Sequence, residues 1–225
     1  MREYKLIQSK RKTISLKIKE DASLEVRAPL QISKKEIDNF INKKESWINK
    51  HVKIMKERYD NKKEFKLDYG DSVLVRGNST FIYPIEGNIA KYEDSSFLIP
   101  KKFTPYEIKQ IIIELYKLIA KSYIRKRVNF FKEKMNVEPT AIRITSAKTR
   151  WGSCSGKNSV NFSWRLIMGD DEIIDYVIVH ELAHIKQHNH SSKFWEIVDS
   201  ILPDYMIRMN KLRILEKKIA EENWD

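Results

Sequence analysis

Apolar residues recur at every second position in two short stretches near the start of the chain. In TISLKIK, residues 13–19, Ile14, Leu16 and Ile18 fall on one side, and SLEVRAP, residues 23–29, repeats the pattern. A period of two is typical of a half-buried strand. The pattern therefore predicts two early strands.

Helical spacing of apolar residues follows in two places, each behind a capping box. The first box is S-K-K-E at residues 33–36, and an amphipathic helix is predicted from there to the lysine-rich stretch NKKEFK, residues 61–66. The second is T-P-Y-E at residues 104–107, with proline at the first helical position. This second helix is predicted to continue to about Met135.

Strand patterns occur again between and after these helices. SVLVRGNSTFIYPI, residues 72–85, predicts a hairpin that turns at Gly77-Asn78, a dipeptide suited to positive φ. AIRITSA, residues 141–147, and SVNFSWRLI, residues 159–167, also alternate. They predict an antiparallel pair or a three-stranded meander.

The last part of the chain is predicted to be helical. GDDEIIDYVIVHELAHI, residues 169–185, starts with acidic side chains that suit a helix N-terminus, and it is apolar on most sides, which predicts a buried helix. Two closing helices are expected over residues 191–202 and 203–222. The plan is an α+β fold, with an N-terminal strand and helix portion over residues 1–100 and a second portion over residues 101–225. The two portions can also form one continuous domain.

Basic residues are concentrated in the middle of the chain. Of the formal net charge of +12, residues 101–165 contribute +11, with 15 Lys and Arg against 4 Asp and Glu. Residues 1–100 contribute +6 and residues 166–225 contribute −5. Either solvated lysine-rich faces or a surface for a polyanion, such as nucleic acid or a nucleotide, explains the excess. No nucleic-acid-binding motif accompanies it.

Composition favours a cytoplasmic protein. Cys154 is the only cysteine, so the chain cannot form an internal disulfide, which fits a reducing compartment. The first 19 residues lack the apolar run of a secretory signal. No stretch of about 18 apolar residues occurs, so no membrane span is expected.

The stretch HELAHIKQHNH, residues 180–190, contains the pattern H-E-x-x-H. Residues four apart share one face of a helix, so the imidazoles of His180 and His184 can bind one zinc ion. Glu181 lies beside the first histidine, where its carboxylate can accept a proton from a metal-activated water. The alternative is a pair of exposed histidines with a surface glutamate. The apolar run before the motif argues against it, because buried polar groups without partners are costly.

A zinc hydrolase needs a third protein ligand and one open position. His188, His190 and Glu196 are the candidates. His188 is disfavoured if the helix is straight, because eight residues of helix rise about 12 Å. His190 requires the helix to stop, and Asn189 tolerates the left-handed conformation of a helix end, while Ser191 can cap the next helix. We favour His190, with Glu196 as the alternative.

These residues predict a metal-dependent hydrolase with one zinc ion per chain. Two other classes stay open. A nucleic-acid-binding module with a structural zinc would need a closed shell of four ligands. A nucleophilic Cys154 would need a base, and the histidines nearby in the sequence are better used on metal.

Three segments together resemble the YgjP-like metallopeptidase family: RWGSCS, VNFSWRLI and IDYVIVHELAHIKQHNHSSKFW. The leading half of the chain, including KRKTISLKI and YGDSVLVRG, is also similar to that family. The resemblance implies a zincin-like core, made of a small antiparallel sheet and the H-E-x-x-H helix, within residues 101–225. SprT-type proteases are cousins of such proteins.

The resemblance also implies site residues and activities. In the family pattern the zinc ligands fall on His180, His184 and His190, and the general base falls on Glu181. The activity implied is that of a metallopeptidase. Members have also been assigned nucleoside-triphosphate pyrophosphatase activity on UTP at the same kind of site, and the basic segment would suit such a substrate.

Residues 150–155 are candidates for substrate binding. In zincins an edge strand pairs with an extended substrate, and Gly152 would permit close approach of a backbone beside Ser153. Arg143 and Arg150 could instead hold phosphates. The alternative is that both arginines are simply solvated.

Overall fold

The computed structural model describes residues 3–19 and 21–224, and over these ranges the fold is α+β, as predicted. The chain divides into two compact units, one formed mainly by the residues up to Phe65 and the other mainly by residues 66–217. Residues 218–223 belong to the first unit, and Trp224 belongs to the second. The sequence-based division at residue 100 stays a prediction about domains.

The first unit is a three-stranded sheet with two helices. Its strands have the order β1-β3-β2, with β1 parallel and β2 antiparallel to β3. The elements are β1 (Lys5–Ser9), β2 (Ser15–Ile18), β3 (Leu24–Pro29), α1 (Lys34–Lys43) and α2 (Glu45–Glu64). The two predicted strands are confirmed as β2 and β3. Apolar side chains from sheet and helices form the core: Leu24, Val26, Ala28, Ile37, Ile41 and Ile48.

The capping box at Ser33 is confirmed, but the single long helix predicted behind it is wrong. Lys44 leaves the helical conformation, with φ −106° and ψ 12°, and separates α1 from α2. Its N–H bonds back to the carbonyl of Ile41 in a tightened last turn. No glycine or proline occurs at this point, so the sequence carries no signal for the break.

The second unit begins with a four-stranded sheet of order β4-β5-β7-β6. Its strands are β4 (Ser72–Val75), β5 (Asn78–Ile85), β6 (Lys91–Glu93) and β7 (Ser96–Pro100). The predicted hairpin is confirmed, but its turn lies one residue earlier, at Arg76 and Gly77, which have φ of 49° and 75°. A Cβ at Gly77 would lie 2.8 Å from that of Asp170, so glycine is needed for space as well as for φ.

Helix α3 (Pro105–Met135) confirms the second capping box and the predicted helix end. The Thr104 hydroxyl accepts from the N–H of Glu107, and the Glu107 carboxylate accepts from the N–H of Thr104. The helix ends at Asn136, in the left-handed conformation with φ 49°.

A second sheet, of order β8-β10-β9, follows α3 and consists of β8 (Ala141–Thr145), β9 (Gly152–Cys154) and β10 (Ser159–Ser163). β9 and β10 are antiparallel, whereas β8 and β10 are parallel, so the predicted antiparallel arrangement is wrong for β8. β9 forms a hairpin with β10 on one side, which leaves only the other side for β8. Residues 146–151 cross from β8 to the opposite edge of the sheet and reverse the chain direction into β9, and the hairpin between β9 and β10 reverses it again, which makes β10 parallel to β8.

Four helical segments complete the chain: a 3₁₀ helix (Trp164–Met168), α4 (Asp171–Lys186), α5 (Ser192–Ile201) and α6 (Tyr205–Ile219). α4 is the predicted buried helix, and every residue from Ile173 to Val179 is buried. It packs on α3 and on β9. Over the described part of the chain, no helix has the length and apolar character of a membrane span.

Candidate metal centre

The helix that carries H-E-x-x-H begins at a strong N-terminal signal. The Asp170 side chain accepts a hydrogen bond of 2.8 Å from the N–H of Ile173, and acidic side chains occupy the first turn. Both features favour a helix start, because they satisfy free N–H groups and interact with the positive end of the helix dipole. The motif lies at the opposite end of α4, where the negative end of the dipole favours a cation.

The chain turns sharply directly after α4. Gln187 ends the helix with φ −144° and ψ 101°, and α5 starts after Ser191. Asn189 organises this turn, because its side-chain oxygen accepts from Gln187 Nε2 at 2.7 Å and from the N–H of Ser191 at 3.2 Å. The predicted stop before His190 and the helix start after Ser191 are confirmed. Asn189 does not use the left-handed conformation that it would tolerate, and its side-chain hydrogen bonds close the turn instead.

This turn brings His190 back beside the two histidines of α4. One potential ligand nitrogen from each of His180, His184 and His190 lies within 4.8 Å of the other two. The Nε2 atoms of His180 and His190 are 3.1 Å apart. Nitrogens bound tetrahedrally to one zinc ion at about 2.1 Å would be separated by about 3.4 Å, so this spacing is compatible with a shared ion.

Aromatic side chains from α5 support the three imidazoles. Phe194 is fully buried, and its ring centroid lies 4.6–4.9 Å from those of all three histidines. The half-buried Trp195 lies 5.9 Å from His190 and stacks on Tyr205 at 5.3 Å. Packing of this kind restricts the rotamers of the imidazoles, which keeps them together without an ion.

Burial favours the neutral form of His180 and His184, which is the form that binds metal. Burial, with a smaller contribution from the neighbouring imidazoles, lowers the pKa of His180 to about 3. Burial also lowers the pKa of His184. His184 Nδ1 lies 3.2 Å from the carbonyl of Gln187, so its Nε2 is left for an ion. His180 Nδ1 is buried and has no hydrogen-bond partner within residues 3–19 and 21–224. Three imidazole nitrogens as donors fit a transition-metal ion.

The side chain of Glu181 lies against strand β9. It is buried, and burial raises the pKa of its carboxyl to about 7, partly offset by a hydrogen bond from the N–H of Cys154 and by the charge of Arg150. A carboxylate of this basicity takes up and releases protons near neutral pH, as a general base must.

The other candidate residues are distributed unequally around this centre. Gly152 lies directly against Glu181, and Ser153 is the middle residue of the same edge strand. Arg150 is exposed and close enough for its charge to act on Glu181. Arg143 is exposed on β8, at the opposite edge of the sheet, and is not brought to Glu181. Within the described residues, the group of converging donors includes neither His188 nor Glu196.

Three features of the centre were not predicted from the sequence. The N–H of Cys154 forms a hydrogen bond with Glu181, and the carbonyl of Gln187 lies within hydrogen-bond distance of His184. Both partners are backbone groups, which every residue type has, so the sequence cannot indicate them. Asn189 was identified as a turn residue, but not for its side-chain hydrogen bonds. For Cys154 itself, burial and the charge of Glu181 raise the pKa of the thiol, which argues against a thiolate nucleophile.

Comparison with known proteins gives a family match and several similar solved structures, among them two metallopeptidase zymogens. The family model described as YgjP-like, metallopeptidase domain, matches residues 12–214. The metallopeptidase zymogen abylysin of Pyrococcus abyssi is 24% identical, with coverage of 42% of this chain and 93% of its own and a TM-score of 0.38. The metallopeptidase zymogen jannalysin of Methanocaldococcus jannaschii is 29% identical, with coverage of 43% and 97% and a TM-score of 0.37. No curated protein matches the chain.

Proposed function

The chain belongs to the YgjP-like family of metallopeptidase domains, and from that premise we propose that it is a zinc-dependent peptidase with Glu181 as general base. The observation that carries this proposal is the convergence of three imidazole nitrogens beside a buried carboxylate. A surface cluster of histidines would need neither the buried glutamate nor the aromatic support of Phe194.

The donor set favours zinc over magnesium or calcium, which prefer oxygen ligands. His180, His184 and His190 would hold one ion per chain. When bound, zinc would supply Lewis acidity, polarising the scissile carbonyl and lowering the pKa of the attacking water. Among the described residues three donors converge, which would leave a fourth position for substrate or water, whereas a structural zinc site has a closed shell of four protein ligands. This argues against a module whose zinc is only structural.

Glu181 performs the proton transfers in this proposal. Its carboxylate takes a proton from the water that attacks the peptide carbonyl, and it then gives that proton to the amine that leaves. Each turnover therefore consumes one water and returns Glu181 to its starting state. Glu181 is buried against β9, and this burial raises the pKa of its carboxyl to about 7 in the metal-free protein.

We propose that an extended peptide lies along β9, the edge strand next to Glu181. The N–H of Ser155 donates to the carbonyl of Ser159 on β10 at 2.9 Å. Because backbone groups alternate in direction along a strand, the N–H and C=O of the neighbouring Cys154 point away from β10, towards the open edge. Glu181 accepts the N–H of Cys154, so a peptide would pair with other backbone groups of this edge.

One observation keeps nucleotide hydrolysis as a second candidate. Arg150 is exposed beside Glu181, within the segment that carries a net charge of +11, and a guanidinium group there would suit a phosphate. The same group would suit a peptide carboxylate. The substrate test therefore includes both classes.

The test uses wild-type protein, Glu181→Gln and the matched control Glu216→Gln, an exposed glutamate on α6. Elemental analysis after purification without chelators should find about one zinc ion per chain in all three proteins. Each is assayed against a fluorophore-labelled unfolded protein and against UTP. Glu181→Gln should retain zinc and lose about 10²–10⁴-fold in kcat, because it removes a general base without changing size. Glu216→Gln should keep wild-type turnover.

Two results would contradict the proposal. Absence of any transition metal would remove the zinc centre, and near wild-type turnover in Glu181→Gln would exclude Glu181 as the base. Loss of UTP hydrolysis in Glu181→Gln, with no peptide cleavage by any of the proteins, would assign the site to nucleotides.

A further inference from the structure

Glu181 lies so close to strand β9 that the strand has no room for a side chain at residue 152. A Cβ built on Gly152 would lie 2.6 Å from Cγ, 2.7 Å from Oε1 and 2.9 Å from Cδ of Glu181. Real Cβ atoms essentially never make contacts under 3.0 Å, so any residue other than glycine must displace the carboxylate or the strand. The contact involves the whole outer half of the glutamate side chain and not just its tip.

A second contact from the same strand also restrains the carboxylate of Glu181. The N–H of Cys154 donates a hydrogen bond to Glu181, two residues along β9 from Gly152. Together the two contacts hold the carboxylate against the strand. Gly152 leaves the space that the carboxylate occupies, and the N–H of Cys154 donates a hydrogen bond to it. Either contact alone would leave the side chain free to rotate about its terminal bonds.

The strand itself is held in place and cannot easily yield. The N–H of Ser163 donates to the carbonyl of Trp151 at 2.8 Å, and the Ser163 hydroxyl donates to the carbonyl of Ala147 at 2.8 Å. The register with β10 pairs Gly152 with Phe162, which is fully buried. An added methyl group at residue 152 would therefore move Glu181 before it moved β9.

We infer that Gly152, together with the N–H of Cys154, sets the position of the general base, and that Gly152 is a positioning residue for Glu181. The effect on turnover rests on the proposed function. The contact between residues 152 and 181 does not, and it can be measured without any substrate.

The first experiment is a double-mutant cycle on the thermal stability of the full-length, metal-loaded protein. Gly152→Ala should lower the Tm by about 3–10 °C when Glu181 is present, because the core is overpacked. In the Glu181→Ala background the clashing atoms are gone, so Gly152→Ala should lower the Tm by less than about 2 °C. A Tm loss of equal size in both backgrounds would overturn the inference.

The second experiment compares Gly152→Ala with Gly156→Ala. A Cβ at Gly156 would meet no atom within 4 Å, so this variant is a matched glycine control in the adjoining hairpin. Gly152→Ala should lose about 10²-fold in kcat, as expected for a catalytic group displaced by about 1 Å. KM and zinc content should stay within twofold of wild type. A kcat equal to that of Gly156→Ala would overturn the inference.

A further pair of variants applies if Gly152→Ala does not fold. Cys154→Pro deletes the N–H at an outward-facing edge position, where proline is tolerated, and Cys154→Ala keeps it. Cys154→Ala should retain at least about tenfold more kcat than Cys154→Pro, as expected when a donor to a charged group is lost. Equal values would overturn the inference. If wild-type protein turns over no substrate, the proposed function fails, and the stability cycle still decides on the contact.

Discussion

Glu181 is a buried residue whose ionised side chain destabilises the folded protein. The residue is 7% exposed, and in the metal-free protein burial raises the pKa of its carboxyl to about 7 from an ordinary value of 4.5. The folded state therefore holds a proton between pH 4.5 and 7 that the unfolded state has released. Above pH 7 the buried carboxylate is ionised, which costs on the order of 3 kcal/mol of stability.

Because the raised pKa of Glu181 makes the folded state bind a proton more tightly than the unfolded state, stability should fall as the pH rises from about 4.5 to 7. Metal-free Glu181→Gln should exceed metal-free wild type in free energy of unfolding by roughly 2–3 kcal/mol at pH 8. The difference should largely disappear at pH 5, because the wild-type carboxyl is then protonated in the fold. Contributions from His180 cancel, since both proteins contain it. Urea unfolding at the two pH values measures the difference.

The surface variant Glu216→Gln is the control for loss of a carboxylate, and it should differ from wild type by less than about 0.5 kcal/mol at both pH values. Equal unfolding free energies for Glu181→Gln and wild type at pH 8 would contradict the argument from burial.

The two candidate substrate-binding arginines are separated by the sheet, so their variants should behave differently. Arg150 lies beside Glu181, whereas Arg143 is on the opposite edge strand. Arg150→Ala should raise KM by about 5–10-fold, as expected for loss of one charged hydrogen bond to substrate, with zinc content unchanged. Arg143→Ala should leave KM within twofold. Steady-state kinetics on the substrate identified above would test both, and equal effects would contradict the assignment.

At the scale of elements, local signals in the sequence predicted helices better than they predicted strand pairing. The boxes at Ser33 and Thr104 and the acidic start of α4 each place a helix start, because capping depends on residues within four positions. The parallel pairing of β8 with β10 depends on the path of residues 146–151, which no short pattern encodes. The break at Lys44 likewise depends on tertiary packing.

The same division applies to the candidate site. H-E-x-x-H and the spacing to His190 could be identified from residue types, since ligand chemistry requires histidine at set positions. The close contact of Gly152 with Glu181 could not, because it joins two elements that only the fold brings together. Glycine was identified there, but its neighbour was expected to be a substrate.

The turn between α4 and α5, and not the helix alone, brings His190 to the other two histidines, and His190 is therefore the proposed third ligand. His190→Ala should weaken zinc binding about as much as His184→Ala, because each removes one of three nitrogens. His188→Ala is the matched control, with an exposed imidazole outside the converging group. It should bind zinc within about threefold of wild type. Competition with a chromophoric chelator measures the affinities.

Equal losses for His188→Ala and His190→Ala would contradict the assignment of His190, and no loss for His190→Ala would redirect attention to Glu196. In the first case the turn alone, and not a ligand, would be responsible for the effect.

For the whole molecule, the open question is whether its positive charge has a binding role. Much of the basic segment is helix α3, and its exposed positions include Lys121, Arg125 and Lys126, with the ring of Phe130 52% exposed nearby. Arg125 reaches the carbonyl of Ile142 on β8, so this face extends towards the sheet. Cations beside an exposed aromatic ring suit a phosphate backbone and its bases.

We propose this face of α3 as the place of the nucleic-acid contact predicted from the sequence. If it binds a polyanion, affinity for single- or double-stranded nucleic acid should fall steeply between about 50 and 200 mM salt, because binding releases counterions. The double charge reversal Lys121→Glu/Lys126→Glu should weaken binding by at least about tenfold at low salt and reduce the salt slope.

The control Lys34→Glu/Lys35→Glu changes net charge equally on α1, at exposed positions outside residues 101–165, and should bind as wild type does. Fluorescence anisotropy with labelled oligonucleotides measures both quantities. Equal weakening by the two double variants would show that net charge alone attracts the polyanion, and absence of binding at low salt would leave the basic face of α3 with a role in solubility only.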